Sequence, residues 1–464
     1  MLFNDLKFIL FFIPVLIFFY LLNMFKNKDI KNIFLLIASY LFYALFDAKY
    51  ILVLLYVTIV NFLAIKMILA CKNKKTIITI GILLSLLPLL IFKYTYFILN
   101  DILGINEQIF VKIALPIGIS FFTFQALSFT IDVYRGKGIE NVSLRDFALY
   151  TAFFPTILSG PIERARSLMP QILSRQKWNL NLVINGLQLF LWGLFMKIVV
   201  ADRVDTYINS VYTFPKMYGC NTVIFAVILY SIQLYCDFAG YSNMAIGIGR
   251  MLGFNIRKNF DFPYFSTSIK KFWKRWHMSL TSWFTEYVYF TLGGNRVKEW
   301  RWILNILIVF LISGIWHGAA LTFIIWGLIN GIYQIIEHYT ISKREFNNVM
   351  MNILLGLIVF SIFSISLIFF RADSIHHAII ILSSCLFNSW ESLYIGSAMS
   401  IFIIMIISLV IGLIFELLLY FRKITITEST DNAFRISNLI FMVCMVLMIS
   451  LFGQSGASFV YFQF

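Results

Sequence analysis

Apolar runs of membrane-spanning length recur along the whole chain, separated by short polar stretches. A helical bilayer crossing needs about 20 predominantly apolar residues. Runs near that length lie around 8–24, 32–46, 50–70, 76–99, 109–133, 180–200, 222–250, 302–316, 319–338, 350–370, 398–421 and 436–453. The pattern predicts an all-α, polytopic integral membrane protein with about 11–13 transmembrane helices, because a helix satisfies its own backbone in lipid. Two segments, 146–160 and 278–293, are shorter and interrupted by polar groups. They read as re-entrant or interfacial helices, which need protein or water to cover their backbone. The first run, Phe8 to Leu22, is followed by Asn23-Met24-Phe25-Lys26 with no small-residue cleavage site, and reads as a retained span.

The polar stretches are mostly basic. Lys26, Lys28 and Lys31 follow the first span, Lys72, Lys74 and Lys75 the third, and Arg135, Lys137 and Arg145 the fifth. The intervening loops around Asp47 and Asp101 carry fewer cations, so the basic loops are expected in the cytoplasm and the amino terminus outside. The longest stretches poor in spanning character are 160–180 and 251–300. Within the second, Arg257, Lys258, Lys270, Lys271, Lys274 and Arg275 face a single acid, Asp261, with Trp273 and Trp276 interleaved. That mixture predicts an interfacial helix anchored at headgroup depth. It is also compatible with a docking patch for an anionic donor or an acidic carrier protein.

Composition agrees with the pattern. Of 464 residues 60% are hydrophobic and only 13% charged, about half the charge of a soluble protein. The net charge of +15 is spread over loops, leaving no contiguous basic face to follow a nucleic acid. Five cysteines, Cys71, Cys220, Cys236, Cys385 and Cys444, form no CxxC pair and read as small packing residues. No internal repeat is evident, so the inverted-repeat signal of many transporters is missing.

Chemistry is carried by ionisable groups where they are costly. His317 lies in Ile312-Ser313-Gly314-Ile315-Trp316-His317-Gly318-Ala319-Ala320, between two apolar runs. A histidine there marks a candidate site or a hydrogen bond between helices. A neutral imidazole can take and return a proton near pH 7, as acyl transfer requires. The four-residue spacing of Gly314 and Gly318 puts both on one helix face, for close packing or for the approach of a ligand. His277 closes the basic stretch, in Phe272-Trp273-Lys274-Arg275-Trp276-His277-Met278-Ser279-Leu280. His338, His376 and His377 sit at span ends or in polar loops, and no role is assigned to them. Asp237, inside the apolar segment Gln233 to Met244, must pair with a cation or orient a histidine. No HExxH, GxSxG, P-loop or GxGxxG motif is present in a usable context, and the histidines lack metal-ligand spacing.

At these residues the chain resembles the membrane-bound O-acyltransferase family. The resemblance runs from about Leu115 onward. It rests on Ser159-Gly160-Pro161-Ile162-Glu163-Arg164, Tyr235-Cys236-Asp237-Phe238-Ala239-Gly240-Tyr241-Ser242, the segment around His277, and Gly314-Ile315-Trp316-His317-Gly318. Phe121-Phe122-Thr123-Phe124-Gln125, Ile131 to Arg135, Leu292-Gly293-Gly294-Asn295-Arg296, Phe369 to Asp373 and the terminal Tyr461-Phe462-Gln463-Phe464 add to it. Asn243 stands where Asp is expected after Tyr-Ser. The nearest branch is the bacterial alginate and peptidoglycan O-acetyltransferases, with the D-alanyl transfer protein of teichoic acid synthesis as runner-up.

The resemblance implies helices around a central tunnel where an inner and an outer funnel meet. The whole chain would be one membrane-embedded acyltransferase domain, with amino-terminal helices over 1–110, a catalytic core over 115–340 and carboxyl-terminal helices over 345–464. His317 would be the essential histidine and His277 the second catalytic one. Trp273, Trp276, Trp316, Asp237, Tyr241, Ser242, Gln125, Lys274 and Arg275 would line the substrate path. No bound cofactor or metal is expected. The donor would be acetyl-CoA or another acyl thioester, such as a loaded acyl carrier protein. The implied setting is the bacterial inner membrane, among its lipids, with acetyl leaving on the outer side. No part of the chain forms a separate domain able to grip a polysaccharide, so an acyl-accepting periplasmic or surface acetyltransferase is the expected partner. A transporter of a glycan or lipid precursor is the alternative from another class.

Overall fold

The computed structural model describes residues 1–24, 28–104, 115–340, 348–424, 436–454 and 459–460, and among these it is helical with no strand. The contacts divide the chain into two compact units. One gathers Met1–Phe190 and Ser242–Arg257, the other Leu191–Tyr241 and Lys258–Glu428 with the described residues beyond 435.

Each of the twelve apolar runs coincides with a helix within the described residues. The first unit contains α1 (Leu6–Asn23), α2 (Lys28–Asp47), α3 (Ile51–Ala70), α4 (Lys74–Leu89), α5 (Ile119–Tyr134), α6 (Leu144–Ala152) and α7 (Ala165–Leu173). The expected span at 109–133 is described only from Leu115. Helices α8 (Leu180–Phe195) and α10 (Cys220–Met251) each contribute residues to both units. The second unit continues with α9 (Asp202–Thr213), α11 (Ile269–Trp273), α12 (Met278–Phe284), α13 (Glu299–His317), α14 (Leu321–Thr340), α15 (Val349–Arg371), α16 (Ile375–Phe387), α17 (Met399–Tyr420) and α18 (Ile436–Phe452).

Eight continuous helical stretches among the described residues are long and apolar enough to cross a membrane. The stretch Asp29–Ala70 is 42 residues long. At 1.5 Å per residue that is about 63 Å, twice a hydrocarbon core of about 30 Å, so it holds two crossings, α2 and α3. The count of eight is lower than the twelve apolar runs because α2 and α3 merge, because α5 and α18, at 16 and 17 residues, fall short of the length, and because α14, with Asn330, Gln334 and Glu337 in its 20 residues, is not apolar enough.

Polar side chains join helices inside the first unit. Asn61 on α3 donates to Ser85 on α4 at 2.9 Å and accepts from Thr130 on α5 at 2.8 Å. With no hydrophobic drive between helices in lipid, such bonds and close packing hold them together. Gly186 on α8 and Gly247 on α10 face one another so closely that a Cβ on either would meet the other's carbonyl oxygen at 2.6 and 2.5 Å. The interrupted segment 146–160 is a short helix followed by irregular backbone, and every residue from Asp146 to Ala165 is buried. Protein therefore covers the non-helical backbone there, as a lipid setting demands.

Candidate active site

His317 is the last residue of α13. The chain turns extended at Gly318, whose N–H still reaches the Gly314 carbonyl at 3.3 Å. Gly314 and Gly318 thus do not share a helix face, and neither leaves room for a ligand. A Cβ at Gly314 would run into the Phe323 carbonyl of α14, and one at Gly318 into the Phe323 ring. The close α13–α14 crossing brings α14 side chains onto the histidine. The His317 ring lies 5.0 Å from Trp326 and 5.3 Å from Phe370 between centroids, both edge to face, and 4.8 Å from its neighbour Trp316. His317 is only 6% exposed.

His277 is held by the irregular segment that leads to it. The basic stretch from Arg257 to Arg275 is not an interfacial helix. It contains a short turn at Pro263–Phe265 and the five-residue α11, with extended backbone elsewhere. Pro263 and the left-handed Phe262 (φ 48°) break any helical run. Helix α11 begins where Ser268 accepts from the Lys271 N–H at 3.1 Å. Glu337 of α14 receives the Ile269 N–H and, at 3.0 Å, the Lys270 N–H. A buried carboxylate on a helix start satisfies donors that have no partner within the helix. His277 itself is left-handed (φ 42°) and caps α12. A non-glycine residue in that region is strained and persists only where its surroundings hold it. Here the Met278 N–H donates to the Asn259 carbonyl at 2.7 Å, and Nδ1 of His277 lies 3.1 Å from the Asn259 side-chain oxygen. The ring is 2% exposed, edge-on to Phe238 at 4.5 Å. It lies 6.2 Å from Trp316, so the two histidines share one indole as a neighbour. Burial pushes its pKa down to about 3, which keeps the ring neutral across the working range.

The expected substrate-path residues fall into distinct settings. Trp276 is buried within the protein. It stacks on Phe272 at 5.5 Å and contacts Phe363 at 4.9 Å. Trp273 is half-buried between Phe310 and Trp326. Lys274 is exposed with Lys270 and Lys271, while Arg275 is half-buried. Asp237 pairs with a cation and not with a histidine: its carboxylate lies 2.7 Å from Lys197 Nζ and accepts the Val460 N–H at 2.7 Å. Tyr241 packs on Phe459 at 5.0 Å. Ser242 and Gln125 are buried and belong to the unit without the histidines. The Gln125 amide joins α6 to the loop that follows it, donating to the Tyr150 carbonyl at 2.5 Å and accepting from the Glu163 N–H at 3.2 Å. Tyr461 to Phe464 lie outside the described residues.

The model of the membrane-bound O-acyltransferase family matches residues 35–372. A probable alginate O-acetylase of Pseudomonas syringae pv. tomato is 34% identical over 389 residues, covering 82% of this chain and 74% of its own. The chain belongs to the membrane-bound O-acyltransferase family. A peptidoglycan O-acetyltransferase of Helicobacter pylori is 35% identical over 416 residues, covering 82% and 79%. A teichoic acid D-alanyltransferase of Bacillus subtilis is 30% identical over 281 residues, covering 56% and 70%. The chain is thus a multi-pass membrane acyltransferase.

Within this acyltransferase, three features escaped the sequence reading. Lys197, 3% exposed, sits in a π-helical turn between α8 and α9 and also bonds Asp202 at 2.7 Å. Glu416, an acid inside the apolar α17, accepts from the Tyr235 hydroxyl at 2.5 Å. Asn259 organises His277 from 18 residues away. The first two carried a visible signal, since any ionisable residue within an apolar run marks a constraint. Asn259 lies in a polar loop and carried none.

Proposed function

We propose that this acyltransferase passes an acetyl group from a cytoplasmic thioester, acetyl-CoA or a loaded carrier protein, toward O-acetylation of an extracytoplasmic glycan such as peptidoglycan or an alginate-like polymer. The observation that carries the reading is the pair of buried histidines that both lie against Trp316. In this reading His317 takes the proton of the acceptor hydroxyl as it attacks the thioester carbonyl, and returns a proton to the departing thiolate. The exposed Lys270, Lys271 and Lys274 attract the anionic donor, an effect that falls with salt. The aromatic residues around both rings exclude water, which would otherwise hydrolyse the acyl group. The relatives named as O-acetylases cover 82% of the chain and the D-alanyltransferase 56%, which supports acetyl over D-alanyl. The proposed location is the bacterial inner membrane, and the acetyl acceptor would be a partner transferase at the outer face.

The test measures ester-linked acetate on the wall glycan in a deletion strain complemented with wild type or His317→Ala at equal membrane abundance. Wild type restores acetate and the variant does not. Full restoration by the variant removes His317 from the mechanism. Acetate unchanged by wild type, with D-alanyl ester restored instead, transfers the assignment to D-alanylation. Robust glycan acetylation by the purified chain alone refutes the partner.

A further inference from the structure

We propose that Asn259 is a positioning residue that holds His277 as the Nδ1–H tautomer, leaving Nε2 as the ring's acceptor atom. Three groups surround the Asn259 side-chain oxygen: the Ser279 backbone N–H at 3.2 Å, the Ser279 hydroxyl at 2.9 Å and His277 Nδ1 at 3.1 Å. A backbone N–H can only donate, so the atom it meets must be the amide oxygen; the flipped amide would turn N–H against N–H. An amide oxygen can only accept, so Nδ1 carries the hydrogen. In a neutral imidazole the other nitrogen then carries the lone pair.

Asn259 cannot readily turn away. Its own carbonyl accepts from the Met278 N–H, so its backbone is tied to the same helix start that its side chain caps. The strained left-handed backbone of His277 is fixed by the same contacts. Ring orientation and tautomer are therefore set together by one residue, as a hydrogen-bonding partner often does for a functional histidine.

The consequence rests on the reading that His277 faces the transfer reaction. A neutral ring of this tautomer receives hydrogen bonds at Nε2 and cannot donate one to a thioester carbonyl there. His277 is thus suited to orient an N–H or O–H of a substrate, while proton exchange falls to His317. Burial, which keeps the ring uncharged, reinforces this division.

The experiment uses the full chain in lipid bilayers, labelled with 15N in histidine side chains, with His277→Gln to assign the signal. The expected spectrum shows His277 protonated at Nδ1 alone, unchanged from pH 8 to pH 5. A His277 signal from the Nε2–H tautomer, or from imidazolium at pH 7, overturns the proposal. Asn259→Leu is expected to release the tautomer and lower kcat for acyl transfer by about 10–100-fold. Asn259→Asp keeps an acceptor and adds charge, so it is expected to keep the tautomer and raise the proton affinity of the ring. An acid limb then enters its kcat profile. Retention of the Nδ1–H tautomer in Asn259→Leu also overturns the proposal. If Asn259→Leu fails to fold, the wild-type spectrum and Asn259→Asp still decide. A wild-type chain without acetyl transfer would sink the functional reading alone, since the spectrum needs no turnover.

Discussion

Replacing Lys197 by Met tests whether the buried ion cluster holds the second unit together. Lys197 is shared by Asp202 and Asp237, each 2.7 Å from Nζ, and the three side chains are 3%, 2% and 1% exposed. Removing the ammonium leaves two buried carboxylates, with the Val460 N–H still donating to Asp237. Breaking a buried pair by deleting one partner costs about 3–5 kcal/mol, because an uncompensated charge stays in place. For a unit of this size, with about 2–4 °C of Tm per kcal/mol, the midpoint falls by about 10 °C. The assay is thermal unfolding of the detergent-solubilised chain, followed by loss of the monodisperse peak. Adding Asp202→Asn and Asp237→Asn to Lys197→Met removes the stranded charge and recovers most of the loss. A drop below about 2 °C for Lys197→Met would refute the argument, since it would mean the carboxylates are solvated or neutral. The cluster also bears on the site, because Phe238, next to Asp237, stands edge-on to His277 at 4.5 Å. Acyl transfer by Lys197→Met should therefore fall beyond what its folded fraction explains.

The remaining predictions concern the histidine shell. The depressed pKa of His277 means the fold favours its neutral form; that stability is fully present above the ordinary value of 6.5 and is lost as pH falls from 6.5 toward about 3. At pH 5 the loss is about 2 kcal/mol, and His277→Gln should flatten the Tm profile between pH 7 and 5. Among the described residues the Trp326 indole N–H is buried without a hydrogen-bond partner beside His317, so Trp326→Phe loses no bond and should lower Tm only by the cost of the small cavity it leaves. If a reacting oxygen uses that N–H, the same variant lowers kcat about 10-fold or more. Gly314→Val drives a side chain into the Phe323 carbonyl, and should cost about 1–3 kcal/mol in Tm measurements and displace Trp326 from His317.

The helices were legible because lipid leaves the chain few options. A run such as Val349–Arg371 can only be a helix at that depth, and its limits fall within a residue or two of its apolar run. The basic stretch before His277 was misread for the opposite reason. Its cations and tryptophans suggested a surface helix, yet Trp276 is buried among Phe272, Phe260 and Phe363. Tertiary contacts, with Glu337 capping α11 and Pro263 breaking the run, override a composition signal that says nothing of which face is covered. His317 and His277 stood out as residues, but their common neighbour Trp316 follows from the α13 ending and from the strained turn at His277. Neither is written in local periodicity. Asp237 was legible as needing a partner; that the partner is Lys197, 40 positions earlier, depends on two helices meeting.

These contacts explain why much of the cover over the two rings is aromatic. With the proposed thioester donor water is a competing acceptor, so a site for transfer must favour one hydroxyl over the solvent. Trp316, Trp326 and Phe370 cover His317, and Phe238 with Phe260 covers His277. Rings have few rotamers and hold their places at small entropic cost, so they help keep the imidazoles aimed, alongside the Asn259 contact to His277. The strained His277 backbone and the tight α13–α14 crossing serve the same end, since each fixes a histidine from its own main chain. On this view the cost of burying two imidazoles in an apolar segment is offset by selectivity in transfer. Opening the shell with Phe370→Ala should therefore raise the ratio of thioester hydrolysis to transfer; an unchanged ratio, measured as free acetate against glycan ester, would show that water exclusion lies elsewhere.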